Sequence, residues 1–379
     1  MSLLDDVRTL VGCESPSDDL AAVARSADVV ARVGTDRLGV APERIVLDGR
    51  THLRWRLGSG PSRVLLLGHH DTVWPLGSLA QRPCTVEPSD HGPVLRGPGC
   101  FDMKAGLAMA FHAAAGLEGV TLLVTGDEEL GSPSSRALVE DEARGADAAL
   151  VLEASADGGA LKTERKGVSL YDVGVTGRAA HAGLEPERGV NATLELAHQA
   201  LRLSALADPA RGTTVTPTVA RAGRTTNTVP AEGAFAVDVR VRTGAEQERV
   251  DRAVRALAPV LPGASVEVRG GPNRPPLEAA ASAALFGLAS ALAVRRGLPP
   301  LTAAAVGGAS DGNFAAGVGT PTLDGLGAVG GGAHADDEHV LVDALPGRTA
   351  LLRALVQELL AAPLGGSTTP VATSGAARP

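Results

Sequence analysis

A chain of 379 residues, 44% hydrophobic and 21% charged, has ordinary globular composition and enough apolar content for two domains. A formal net charge of -8 without any Lys/Arg block argues against nucleic-acid or anionic-membrane partners. Three unpatterned cysteines, a first segment without a signal-peptide pattern and the lack of a membrane-length apolar run make a soluble cytoplasmic protein the expectation.

Residues 17–34 carry Leu20, Val23, Val29 and Val30 at helical spacing. Residues 64–67 (Val-Leu-Leu-Leu) form a short apolar run closed by Gly68, which predicts a central strand. An Ala-rich helix is predicted over 105–117, a strand over 121–125, a helix over 134–143 and a strand over 148–152. Strands alternating with helices predict an α/β layer with a mixed, mostly parallel sheet. The pattern changes near Gly167. Residues 168–175 partly alternate, a helix fits 189–206, and extended stretches fit 213–222 and 234–241. In the last of these Phe235, Val237, Val239 and Val241 share one side. A helix over 247–260 and a strand over 264–268 complete a strand-helix-strand-strand-helix-strand order, the ferredoxin-like arrangement. From about Leu277 the helical and Gly-rich pattern returns. The expected organisation is therefore a first domain of residues 1–166 and 275–362, an inserted lid-like α+β domain over 167–274, and a disordered Gly/Ser/Thr/Pro-rich tail over 363–379.

The chemistry gathers at strand ends. Asp127-Glu128-Glu129 closely follows the apolar run 121–124, and three acids in a row are tolerable where cations sit nearby. His69 and Asp71 follow the strand 64–67 and point to the same side of extended chain, with His70 facing away. His69 is thus a candidate metal ligand through one ring nitrogen, and Asp71 a carboxylate that accepts from the other. Asp102, in a glycine-rich loop before a helix, offers two oxygens to a pair of metal ions; taken alone it also reads as an N-cap. Glu128 and Glu129 are adjacent and, in extended chain, face opposite ways, which divides them between metal and substrate. Glu153 ends the strand 148–152, at the edge where open α/β sheets bind ligands. His334 lies in a Gly-rich loop; by itself it reads as a surface histidine. Arg165 and Lys166 near the domain junction could meet a side-chain carboxylate of a substrate, but read first as solvated charges.

Several longer motifs occur in order: Gly68-His69-His70-Asp71-Thr72-Val73, Gly97-Pro98-Gly99 with Asp102-Met103-Lys104-Ala105-Gly106, Asp127-Glu128-Glu129-Leu130-Gly131-Ser132, Gly177 to Gly183, Asn227-Thr228-Val229-Pro230, Asp238-Val239-Arg240, Asn273-Arg274-Pro275-Pro276 and Gly308-Ala309-Ser310-Asp311. On these motifs the chain resembles, from about residue 5 to 361, the di-zinc family of glutamate carboxypeptidase (carboxypeptidase G), aminoacylase, acetylornithine deacetylase and succinyl-diaminopimelate desuccinylase. Within it the chain most resembles the glutamate carboxypeptidase branch, on Asn273-Arg274-Pro275-Pro276 and the stretch from His69 to Trp74. The resemblance implies that one zinc takes His69 and Glu153, the other Glu129 and His334, with Asp102 bridging and a cis peptide after it. It implies Glu128 as general base, Asp71 as partner of His69, and a dimer in which His181 of the inserted domain reaches the neighbouring active site. Asn227, Arg274 and Gly308 would lie on the substrate side; the planar fork of Arg274 suits a carboxylate. Cobalt or manganese would also fit such ligands in vitro. The implied activity is hydrolysis of an N-acyl or peptidyl amino acid by metal-activated hydroxide, releasing a C-terminal amino acid. A deacylase or desuccinylase of a biosynthetic N-acyl amino acid, and a non-hydrolytic amide-forming or binding protein on the same scaffold, stay open.

Overall fold

Residues 2–90, 92–362 and 364 are described by the computed structural model of the chain; apart from residue 364, the tail expected over 363–379 lies outside them. A six-stranded sheet runs in the order Glu43–Leu47, Arg50–Leu57, Val120–Thr125, Val64–His69, Ala148–Val151, Thr322–Leu323. The last four strands are mutually parallel and the first two antiparallel. Every residue of Val64–His69, Val120–Thr125 and Ala148–Val151 is buried, as unbroken apolar runs covered on both faces require. Pairing of His69 with Thr125 and of Leu67 with Val151 levels the carboxyl ends of these strands at one edge.

Helices cover the sheet. Leu3–Val11 starts in a capping box of Ser2 and Asp5, and Leu20–Leu38 is capped by Asp19 and closed by Gly39 at φ 73°. Ala105–Ala114 is buried almost throughout and packs against Leu345–Ala361. Its Phe111 meets Trp55 of the sheet edge to face, with ring centroids 5.3 Å apart. A Cβ on Gly106 would stand 2.1 Å from the Leu152 carbonyl oxygen, so only glycine lets this helix approach the strand end that carries Glu153. The helix predicted from residue 134 begins at Arg136, because Ser134 and Ser135 are engaged by the Asp127 carboxylate.

A second, four-stranded antiparallel sheet runs in the order Thr214–Ala222, Glu232–Val241, Gly167–Thr176, Ser265–Arg274. With the helices Ala192–Ser204 and Gly244–Arg255 it forms the ferredoxin-like arrangement, around a core that includes Tyr171, Val173, Phe235, Val237, Val239 and Val250. The strand predicted over 264–268 continues to Arg274 because it pairs with Val168–Thr176, with Arg274 opposite Val168. The two chain crossings between the sheets are tied together: Arg165 N donates to Leu277 O and Leu277 N to Arg165 O, both at 3.0 Å. No helix among the described residues is long and apolar enough to cross a membrane.

Candidate active site

The level strand ends bring His69, Glu128, Glu129 and Glu153 to one edge, and two loops add Asp102 and His334. Asp102 lies in a kinked turn, Cys100–Lys104, at φ -115° and ψ 94°, and the Asp102–Met103 peptide is cis. Its side chain caps no helix; the two carboxylate oxygens are divided between two histidines. Asp102 Oδ1 lies 3.2 Å from His69 Nε2, and Asp102 Oδ2 lies 3.4 Å from His334 Nε2. Glu153 Oε1 joins the first histidine at 3.6 Å and Glu129 Oε1 the second at 3.2 Å. Donor atoms of His69, Asp102 and Glu129 lie within 4.8 Å of one another, as do those of His69, Glu128 and Glu153.

Glu128 and Glu129 do diverge, but not by strand alternation. Glu128–Leu130 is a short 3-10 turn closed by Gly131 at φ 87°, and the turn sends Glu129 toward His334 and Glu128 toward Arg274. Asp71 holds this turn. Its carboxylate accepts from Glu128 N and Glu129 N, each at 3.2 Å, and from Ser17 Oγ at 2.7 Å. The expected contact with His69 is correspondingly loose, Nδ1 to Asp71 Oδ1 at 3.5 Å, while the nearer acceptor is the Asp71 main-chain carbonyl at 2.9 Å. His70 faces away as expected, with Nε2 on the Thr51 carbonyl at 2.9 Å and Nδ1 3.2 Å from Ser26 Oγ.

The electrostatics are those of a site short of positive charge. Burial opposes a proton on His69, yet hydrogen bonds to Asp102, Asp71 and Glu153 hold its pKa well above the ordinary value. Hydrogen bonds to Asp102 and Glu129 push His334 up to about 10. Burial raises Glu129 against His334, and it raises Glu128 well above the ordinary range against Arg274 and His69. Buried carboxylates with raised pKa beside imidazoles whose pKa they raise fit divalent cations, and imidazole with carboxylate oxygen is a donor set zinc takes readily.

Arg274, delivered by the end of its long strand, is buried against this edge. Its Nη2 lies within hydrogen-bond distance of Glu128 Oε1 (2.9 Å), Glu128 O (3.2 Å), Ser132 Oγ (2.8 Å) and Asp311 Oδ1 (3.3 Å), which share its two N–H groups. Its Nε–H, also buried, has no hydrogen-bond partner among the described residues. In the sequence Asp311 is visible only as the end of the Gly308–Asp311 motif; in the fold it also accepts from Thr125 and Ser132. Arg165 corrects an expectation. It is buried rather than solvated, because Asp324 takes its Nε at 2.7 Å and Nη2 at 3.2 Å, and a paired guanidinium tolerates burial. It also donates to the Gly308 carbonyl at 3.0 Å and stands 3.7 Å from Glu153 Oε2. Its position at a domain junction gives no hint of the Asp324 partner 159 residues on. Gly308, Asn227 and His181 are exposed. The hydrogen bonds of His181 are local, its Nδ1 accepting from Gly183 N and Leu184 N, and Asn227 O accepts from Ala182 N beside it. The structure thus brings the five candidate ligands, Glu128, Asp71 and Arg274 together and leaves His181 and Asn227 on the second sheet's side.

Residues 65–358 match the family described as Peptidase family M20/M25/M40. The chain is 34% identical over 297 residues to carboxypeptidase G2 of Pseudomonas sp. (strain RS-16), covering 74% of this chain and 70% of that one. It is 39% identical over 103 residues to one of the polypeptides of p-aminobenzoyl-glutamate hydrolase from Escherichia coli (strain K12), 26% of this chain and 24% of the relative. Among solved structures, the M20 family metallo-carboxypeptidase Sso-CP2 of Sulfolobus solfataricus superimposes with a TM-score of 0.72 at 16% identity, over 94% of this chain and 99% of that one.

Proposed function

The chain belongs to peptidase family M20/M25/M40 and is a metal-dependent hydrolase of that family, and on that premise we propose that it cleaves the amide of an N-acyl or peptidyl amino acid and releases a C-terminal amino acid, glutamate before others. The observation that carries the reading is the seat of Arg274: a buried guanidinium beside Glu128 with its Nε–H unclaimed is a ready reader of a substrate carboxylate next to a proton acceptor. The name of carboxypeptidase G2 supports release of a C-terminal amino acid, and that of p-aminobenzoyl-glutamate hydrolase, matched over 26% of this chain, supports a glutamyl substrate.

His69 and Glu153 would hold one zinc ion and His334 and Glu129 a second, with Asp102, whose two oxygens face the two histidines, available to both. Zinc bound there supplies Lewis acidity toward an amide carbonyl and acidifies water. Glu128 accepts the proton of the attacking water on its carboxylate and passes it to the departing nitrogen; burial raises its pKa toward that task. Asp71 fixes the turn on which Glu128 stands. Asn227 and Gly308 would complete the substrate side. Residues 167–274 act as lid and dimerisation domain, and His181 of one protomer completes the site of its partner. Exposed Leu184, Leu194, Leu201 and Val219 on this unit support a homodimer. Three free cysteines support a reducing, cytoplasmic setting.

The test is a panel of N-acyl glutamates, dipeptides and small N-acetyl or N-succinyl amino acids, each with free or amidated carboxylate, incubated with zinc-loaded protein and read by product mass. Cleavage should favour acyl or peptidyl glutamate with a free carboxylate. Cleavage of only the small acyl substrates would move the assignment to a deacylase, and no cleavage at all would favour the non-hydrolytic reading.

A further inference from the structure

Glu338 lies four residues past His334 and is 4% exposed. Four donors converge on its carboxylate. Oε1 accepts from Phe101 N at 2.9 Å and Asp102 N at 3.0 Å; Oε2 accepts from Gly99 N at 2.8 Å and Trp74 Nε1 at 2.7 Å. These donors come from different segments. Gly99 to Asp102 form the loop that presents Asp102, and Trp74 belongs to the segment that continues from His69 and Asp71. Glu338 itself closes the hairpin in which Gly330 pairs with Val340 and Gly331 with His339, with His334 inside it at φ 62°. His334 is half-exposed, and in its own loop the anchoring bonds are Ala335 N to Gly332 O and Glu338 N to Ala335 O. The position of its imidazole relative to Asp102 is therefore set by what ties the hairpin to the Asp102 loop: pairing of His339–Leu341 with Val94–Arg96, bonds from Arg82 to Asp336 and from Arg96 to the Asp337 carbonyl, and, at Asp102 itself, the four charge-assisted bonds to the Glu338 carboxylate.

We propose that Glu338 is a positioning residue that sets the spacing of His334 and Asp102, and so governs occupancy of the metal position held by His334 and Glu129. The inference rests on the reading of these residues as metal ligands. It assigns a reason for the carboxylate: a glutamine of the same shape presents an NH2 to two of the four donors, loses two acceptor contacts and opposes N–H to N–H. A group that orients ligands in this way is worth about 10–100-fold in metal affinity when altered.

The experiment is zinc titration of the metal-free full-length protein against a chromophoric chelator, for wild type, Glu338→Gln and His334→Ala, with a thermal melt of each. Wild type should bind two ions, and His334→Ala should lose one. In Glu338→Gln one ion should weaken by about 10–100-fold while the other stays within about twofold, and excess zinc should restore most of the lost turnover. A folded Glu338→Gln that binds both ions as wild type does, whatever its melting temperature, would overturn the proposal; so would equal weakening of both ions. Should Glu338→Gln not fold, Glu338→Asp, which keeps the charge and shortens the reach, carries the same test with the same two outcomes. Failure of the underlying reading is separately visible: wild type would then bind fewer than two ions, or His334→Ala would bind as many as wild type.

Discussion

Replacing Arg274 by Ala tests whether the cation at the inner end of the second sheet serves stability as well as recognition. In the folded chain its Nη2 lies 2.9 Å from Glu128 Oε1 and 3.3 Å from Asp311 Oδ1, and the side chains of all three are less than 10% exposed. Removing one member of a buried ion pair leaves an uncompensated charge and costs about 3–5 kcal/mol. The direction with pH follows from the two acids. Burial already raises Glu128 and Asp311 above their ordinary values, with Arg274 opposing. Without Arg274 both rise further. An acid whose folded pKa exceeds its unfolded one adds no penalty where both states are protonated, and a growing penalty as pH climbs through and beyond the unfolded value. The loss on Arg274→Ala should therefore be largest near pH 8 and shrink toward pH 5. Urea denaturation of wild type, Arg274→Ala and Arg274→Ala/Asp311→Asn at the two pH values measures it, and the double variant should regain part of the loss at pH 8. A loss below about 1 kcal/mol at pH 8, or one that is the same at both pH values, would refute the reasoning.

Other outcomes follow from the same geometry. Glu128→Gln should keep its metal content and lose about 10²–10⁴-fold in turnover; near-normal turnover would remove Glu128 from the proton-transfer role. His70, buried and neutral with its pKa pushed down to about 4 by burial, contributes stability that is present above pH 6.5 and lost as pH falls through 4, about 3 kcal/mol in all. Wild type and His70→Asn should thus converge in stability as the pH is lowered from 7 to 4, and a constant gap would contradict this. In the metal-free protein His334 holds its proton up to about pH 10 through Asp102 and Glu129, so zinc must displace it. Metal uptake at pH 7.5 should release protons, and apparent affinity should rise about tenfold per pH unit for each proton displaced; calorimetry in buffers of different ionisation enthalpy reads this, and no proton release would count against it.

Much of the architecture is open to sequence reading because its signals are local. A run such as Val64-Leu65-Leu66-Leu67 suits a strand covered on both faces, and Phe235, Val237, Val239 and Val241 are all buried on one side of theirs. Element ends are less legible where a side chain from elsewhere decides them: Asp127 engages the serines ahead of Arg136, and pairing with Gly167–Thr176 draws the last strand of the second sheet out to Arg274. The candidate ligands can be named because strand ends and glycine loops mark where functional groups emerge, and the resemblance sorts them. Their partners cannot. Asp71 reads as a companion of His69 and stands 3.5 Å from its Nδ1, but its carboxylate also holds the turn of Glu128 and Glu129, and Arg165 reads as solvated while Asp324 waits 159 residues away.

What the chain determined by itself is the period of each element, the family pattern and the residue types able to hold metal. Only the tertiary structure decided how these meet. The strand order places Val120–Thr125 and Ala148–Val151 on either side of Val64–His69, so that Glu128, Glu129 and Glu153 emerge beside His69. A 3-10 turn, not strand alternation, separates the two adjacent glutamates. Hydrogen-bond partners are chosen by distance in space, and a charge that is buried must find its counter-charge wherever the fold has brought one.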